Sequence, residues 1–276
     1  MNYYELVCTS ASPEHSEILI VQLGELGFES FVDTENGFNA YIQEELYTSE
    51  VKKEIVQLNS LIQFNSKVQF IADQNWNEKW EKNFEPINVK DICYIRASFH
   101  PRVTSIKYDI IINPKMSFGT GHHETTRLVI SQMLELDWKG KVVCDMGCGT
   151  SILAILAEMM GAASVLAVDT DEWAVENSLE NIDTNNMQGV VVKKGDAQLL
   201  AGKTFHVILA NINRNILLND MGRYAQSLDK QGFLIVSGFF DIDAPLIISS
   251  AESVGMRILN RMAQNKWTML CFSKDK

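Results

Sequence analysis

At 276 residues the chain exceeds the usual size of one domain, and 46% hydrophobic with 21% charged residues is the composition of a globular protein with ample core. No apolar run approaches the ~18 residues of a transmembrane helix, and MNYYELVCTS has neither the basic nor the long apolar part of a signal peptide, so a cytoplasmic protein with no membrane partner is expected. The net charge of −11 is uneven: residues 1–70 hold eleven acids against three lysines (Lys52, Lys53, Lys67), a net −8, which repels phosphate backbones and suits a basic partner.

Residues 3–9 alternate as a strand, and Ser12-Pro13 supplies a helix cap with proline at the first helical position. EHSEILIVQLGELG has helical spacing and stops at Gly27. FESFVD and GFNAYIQE then read as strands joined through Thr34-Glu35-Asn36-Gly37, where Asn-Gly marks a hairpin. SEVKKEIVQLNSL gives a second amphipathic helix and SKVQFIAD a fourth strand. The order β-α-β-β-α-β over residues 1–72 predicts a ferredoxin-like α+β domain. It carries no catalytic constellation, His15 being a lone surface histidine, so recognition is its natural role.

Residues 73–113 read as a linker: a helix with Trp76, Trp80 and Phe84 on one face, ended by Pro86, then short strands of which YDIIIN is the clearest. In residues 114–134, Gly119-Thr120-Gly121 precedes His122, His123, Glu124, Thr125 and Thr126 and an amphipathic helix. Such a loop can fold over a ligand, with threonine hydroxyls donating to a carboxylate. Two histidines and a glutamate suggest a metal, but the HExxH spacing that would put both rings on one helical face is missing, so no metal is expected. The five cysteines, an odd number without CxxC spacing, read as core thiols of a reducing compartment.

KVVCDMGCGTSILAILAEMMGA, residues 141–162, is a buried strand, a glycine turn and an apolar helix. That arrangement builds nucleotide sites in doubly wound sheets, because glycines admit the ligand to the backbone and the helix start offers free N–H groups. Ile152 stands where a dinucleotide fingerprint needs its third glycine, so a nicotinamide oxidoreductase is disfavoured. A lone GxG also fits a tight turn with no ligand. The alternation continues with SVLAVD ending in Asp169, a helix, VVVKKGDA ending at Asp196, FHVILANIN ending at Asn211-Ile212-Asn213, a helix, GFLIVSGFF, a helix from Pro245, and the closing pair RILNRMAQ and KWTMLCFS. Gly147, Gly149, Asp169, Asp196 and Asn211 therefore gather at strand ends, where such sheets bind ligands. Asp169 suits ribose hydroxyls and Asp196 the exocyclic amine of adenine, although each acid alone also reads as a cap or turn residue.

FGTGHHETT (118–126), DMGCGTSILAI (145–155), AVDTDEWAVENSLEN (167–181) and ILANINRNIL (208–217), in this order, resemble the PrmA family, S-adenosylmethionine-dependent enzymes that methylate the eleventh protein of the large ribosomal subunit. The resemblance implies a seven-stranded Rossmann-like class I methyltransferase domain over 114–276, after the ferredoxin-like domain and linker. It implies a protein-lysine N-methyltransferase acting on lysine side chains and the N-terminal amine of that ribosomal protein, held by the N-terminal recognition domain, whose acidic charge disfavours direct nucleic-acid contact. The family's S-adenosylmethionine contacts fall on Thr126, Gly147, Asp169 and Asn211. Lys115 and Ser117 replace a glycine and an alanine of the family pattern, and Ser151 replaces the last glycine of GCGSG, a position where it can start the helix. Asn211 is expected to orient the amine for transfer; His123 reads as a proton acceptor or as a structural loop residue. Two other classes remain: an RNA methyltransferase, which wants a basic aromatic channel, and a binding module without turnover. Asn-Ile-Asn-Arg at 211–214 is not the Asn-Pro-Pro-Tyr of glutamine methylases.

Overall fold

The computed structural model describes residues 2–10, 13–34, 37–62, 64–71, 85–113, 119 and 121–274. The Ser12 cap, the Glu35-Asn36 turn, the tryptophan helix of 73–84, and Lys115, Ser117 and Thr120 lie outside the described residues, as does the side chain of His15. The chain folds as two compact units, Met1–Phe84 and Glu85–Lys276.

The first unit runs β1 (Tyr3–Ser10), α1 (Pro13–Glu25), β2 (Ser30–Thr34), β3 (Gly37–Gln43), α2 (Ser49–Leu61) and β4 (Phe64–Ile71). Its antiparallel sheet has the order β2-β3-β1-β4, the ferredoxin-like arrangement expected. Alternation explains the core: Phe38, Ala40 and Ile42 of β3 are buried and join Leu6, Cys8, Leu19, Leu23, Ile55 and Leu58 in one apolar cluster. Thr48 caps α2, its hydroxyl accepting from Val51 N at 3.4 Å.

The second unit opens with β5 (Ile87–Val89), β6 (Cys93–Arg96) and β7 (Tyr108–Ile111), a three-stranded sheet. Its Ile87, Ile95 and Ile110 belong to the same apolar cluster as the large sheet that follows, so these strands are part of this unit. Then come α3 (Glu124–Met133), β8 (Val142–Met146), α4 (Ile152–Met159), β9 (Ser164–Asp169), α5 (Glu172–Thr184), β10 (Val190–Lys194), β11 (Phe205–Asn211), α6 (Arg214–Ser227), β12 (Leu228–Phe240), α7 (Ala244–Ser253), β13 (Met256–Gln264) and β14 (Trp267–Lys274).

The large sheet has the order β10-β9-β8-β11-β12-β14-β13 and is parallel except for β14, which runs against both neighbours. Both faces are covered, which is why its strands read as continuous apolar runs. Val143 points to one face, packed by α3, α4 and α5, and Cys144 to the other, packed by α6 and α7. The chain leaves β8 towards β9 and β10, then returns to place β11 on the other side. The switch point of this doubly wound sheet thus lies between β8 and β11. β12 begins four residues before the apolar run that marks it, passing Gln231 at φ 59° where the pairing with β11 shifts register. The polar stretch Leu228-Asp229-Lys230-Gln231 gives no strand pattern, and only the neighbouring strand makes it one.

Candidate functional site

At the carboxyl end of β8 the backbone turns through Gly147 (φ 69°), Gly149 (φ 53°) and Ser151 (φ 61°), three residues in the left-handed region. The first half of the turn is tied to β9: Gly147 and Cys148 donate to the Val168 carbonyl at 2.8 and 3.1 Å. Gly149 N donates to Asp169 Oδ2 at 2.9 Å, and Asp169 Oδ1 accepts from Asp171 N at 3.1 Å. The carboxylate expected at the ribose is therefore fixed in orientation by the glycine turn itself. Thr150 Oγ1 donates to the Gly119 carbonyl at 2.6 Å, joining the two glycine motifs of the sequence.

Below the turn, Asp145 is buried, with Oδ2 accepting from Ala154 N at 3.2 Å. Burial, together with the nearby Asp169 charge, pushes its carboxyl up to about 7. Burial likewise pushes the Cys148 thiol up to about 12, so this cysteine in the turn is an unreactive thiol.

Gly147, Gly149, Asp169, Asp196 and Asn211 all line one cavity of about 590 Å3, a volume within the ~300–1,000 Å3 usual for small-molecule sites. Thr126 is not among its lining residues. It is buried and accepts from Asn211 Nδ2 at 3.4 Å through Oγ1, and Thr125 and Thr170 are the threonines at the wall. Asp196 is engaged as a cap, Oδ1 accepting from Gln198 N at 2.8 Å. Asp171 caps α5 through Trp173 N at 2.9 Å, and Asn213 caps α6 through Ile216 N at 3.1 Å. Asn211 is thus free of the capping duty, and its Oδ1 is buried with no hydrogen-bond partner. Tyr224, at the wall on α6, likewise has a buried hydroxyl without a partner. Leaving such atoms unpaired costs roughly 1–3 kcal/mol each. A polar ligand that meets them fits this cavity better than an apolar one.

His123 is the cap of α3, its Nδ1 accepting from Thr125 N at 3.3 Å. Its ring stands edge-on to Trp267 at 4.6 Å, and Trp267 lies 4.3 Å from Phe240, which builds an aromatic wall. Ile212 sits between Gly147 and Gly238, where a Cβ on either glycine would collide with it, so the segment carrying Asn211 and Asn213 is held against the turn. No motif in the sequence marks Tyr224, Trp173 or Trp267 at the cavity, or the inner face of α5. There Ser178 donates to the Gly149 carbonyl at 2.7 Å and Asn181 Nδ2 to the Thr150 carbonyl at 3.2 Å. A signal existed: Asn177, Asn181 and Asn185 recur every four residues, which puts a stripe of amides where the helix meets the core.

A family model described as ribosomal protein L11 methyltransferase (PrmA) matches residues 8–275. A protein of Phocaeicola vulgatus named ribosomal protein L11 methyltransferase is 46% identical over 99% of both chains. One of the same name from Bacteroides fragilis is 45% identical over 99% of both. Among solved structures, a ribosomal protein L11 methylase from Lactobacillus delbrueckii subsp. bulgaricus aligns with 28% identity and a TM-score of 0.65, over 70% of this chain and all of that one.

Proposed function

The chain belongs to the ribosomal protein L11 methyltransferase family, and from that premise we propose that it moves methyl groups from S-adenosylmethionine to amino groups of this ribosomal protein, on lysine side chains and at the N-terminus. The observation that carries the site assignment is the buried, unpartnered amide oxygen of Asn211, a residue that lines a cavity floored by a glycine turn. When bound, S-adenosylmethionine supplies a methyl group already activated by its sulfonium. Gly147 and Gly149 give its nucleoside close access to the backbone, and the fixed carboxylate of Asp169 keeps lone pairs for ribose hydroxyls. Asp196, beside them, retains an acceptor for an exocyclic amine. One N–H of the Asn211 amide donates to Thr126, which orients the group, and Oδ1 is left to accept an N–H of the incoming amine and aim its lone pair. That amine has to be neutral, and a lysine with an unperturbed pKa of ~10.4 is brought there by desolvation against the Trp267 and Ile212 side of the pocket. No residue is assigned as general base.

The acidic first unit supplies recognition of the basic ribosomal protein without direct contact to nucleic acid, and the reaction takes place in the cytoplasm. Its −8 charge over residues 1–70 supports that reading. The test is incubation with labelled S-adenosylmethionine and a mixture of ribosomal proteins, followed by mass spectrometry of the labelled band. Label on L11 amines is expected; label confined to other proteins of the mixture, or none, would refute the assignment.

A further inference from the structure

Ser151 stands directly after the glycine turn at φ 61° and ψ 21°, a conformation that disfavours any side chain. It is fully buried, and its hydroxyl does not cap α4 as a helix-start serine ordinarily does; it donates to Ser178 Oγ at 2.8 Å. Ser178, fully buried on α5, passes the bond on to the Gly149 carbonyl at 2.7 Å and meets Cys148 Sγ at 3.4 Å. One hydroxyl from a neighbouring helix therefore holds both the second glycine of the turn and the left-handed residue two positions on. The N–H of that same glycine carries the Asp169 carboxylate.

We propose that Ser178 is the positioning residue that keeps the glycine turn in its ligand-binding shape in a chain that has serine at 151. The inference rests on the reading of this cavity as the S-adenosylmethionine site. Without the Ser178 hydroxyl, the Ser151 hydroxyl and the Gly149 carbonyl lose their shared partner where water does not reach. Only main-chain bonds then hold Ser151 in the left-handed region, its N–H donating to the Cys148 carbonyl at 2.7 Å and its carbonyl accepting from Ile155 N at 2.9 Å, and the turn relaxes towards conformations in which Gly149 no longer steers Asp169. Glycine at 151 occupies that region at no steric cost and would make the Ser178 bond dispensable.

Calorimetric titration of the full-length protein with S-adenosylhomocysteine, paired with thermal melts, tests this. Ser178→Ala is expected to bind about tenfold more weakly, and the double variant Ser151→Gly with Ser178→Ala to recover most of that loss. Ser151→Ala and Ser151→Gly remove the same hydroxyl, yet the alanine variant is expected to bind about tenfold more weakly than the glycine one. This second pair leaves α5 untouched and gives the answer if Ser178→Ala does not fold. Undiminished affinity in Ser178→Ala, a loss that glycine at 151 does not recover, or equal affinity of the two Ser151 variants would overturn the proposal. A wild-type protein that binds no S-adenosylhomocysteine would instead overturn the cofactor reading beneath it.

Discussion

The two sides of the cavity treat their polar groups differently. On the β8–β9 side they are spent on one another: Gly149 on Asp169, Ser178 on Gly149, Asn181 on Thr150. Among the buried side-chain atoms of the described residues there, only Asn177 Nδ2 goes unpaired. On the β11–α6 side, Asn211 Oδ1 and Tyr224 Oη are buried and unpaired. The first side is organised in advance and needs no ligand to take its shape. The second holds hydrogen-bonding capacity in reserve for a group that arrives. Such a division suits an enzyme that must hold one reactant tightly while directing another, because interactions completed only near the transition state are those that accelerate a reaction.

The sharpest way to break that contrast is at Asn211. Asn211→Ala is expected to lower kcat by ~10²–10³-fold, the range seen when a preorganised hydrogen-bonding group is removed, while changing the Michaelis constant for S-adenosylmethionine much less. Steady-state kinetics with a thermal melt checks it; a variant that melts early and turns over normally would make Asn211 structural. On the other side, Asp169→Ala is expected to cost roughly 1.5–3 kcal/mol of cofactor affinity by calorimetry. Unchanged affinity there would shift the ribose contact to Asp171.

Asp145 sharpens the comparison through pH. Its folded carboxyl, at about 7, lies above the ordinary ~3.9 of the unfolded chain, so between those values the folded state alone keeps the proton. Stability is therefore greatest at the acid end of that window and falls as pH rises through it. Asp145→Asn, with no proton to lose, is expected to gain about 5 °C in Tm relative to wild type on going from pH 5 to pH 8, measured by differential scanning fluorimetry. A constant difference between the two proteins would show that the carboxyl is already ionised. The smallest effects are predicted for Asn213→Ala, about 1 kcal/mol of stability with kcat retained, and for salt, which should weaken binding of the ribosomal protein several-fold without altering cofactor affinity.

Much of this was legible in the chain. β9 coincides with SVLAVD, and the strand-end positions of Gly147, Asp169, Asp196 and Asn211 follow from buried runs of fixed length. That no pattern marks the remaining residues has a common cause. Ser178, Asn181 and Tyr224 lie in mid-helix, where spacing tells which face is buried but not which buried polar atom meets a partner on another strand. Ser151 looked like a helix cap because serine at that position usually is one; its positive φ and its bond to Ser178 come from the turn before it and the helix beside it. β5–β7 looked like a connector because strands of three or four residues carry no period, and only shared core places them with the large sheet.

The aromatic residues around the cavity give the molecule an optical readout. Trp173 is 76% exposed at the rim and Trp267 at the wall contacts Phe240 on one side and the edge-on ring of His123 on the other, so both indoles emit from surroundings that a bound nucleoside or an incoming side chain must change. Trp138 is sealed in the core with its indole N–H donating to the Met133 carbonyl at 2.7 Å, and contributes a constant background. Rapid-mixing fluorescence in a Trp76→Phe, Trp80→Phe background, with Trp173→Phe and Trp267→Phe to separate the two signals, would time the arrival of each reactant directly and without a label.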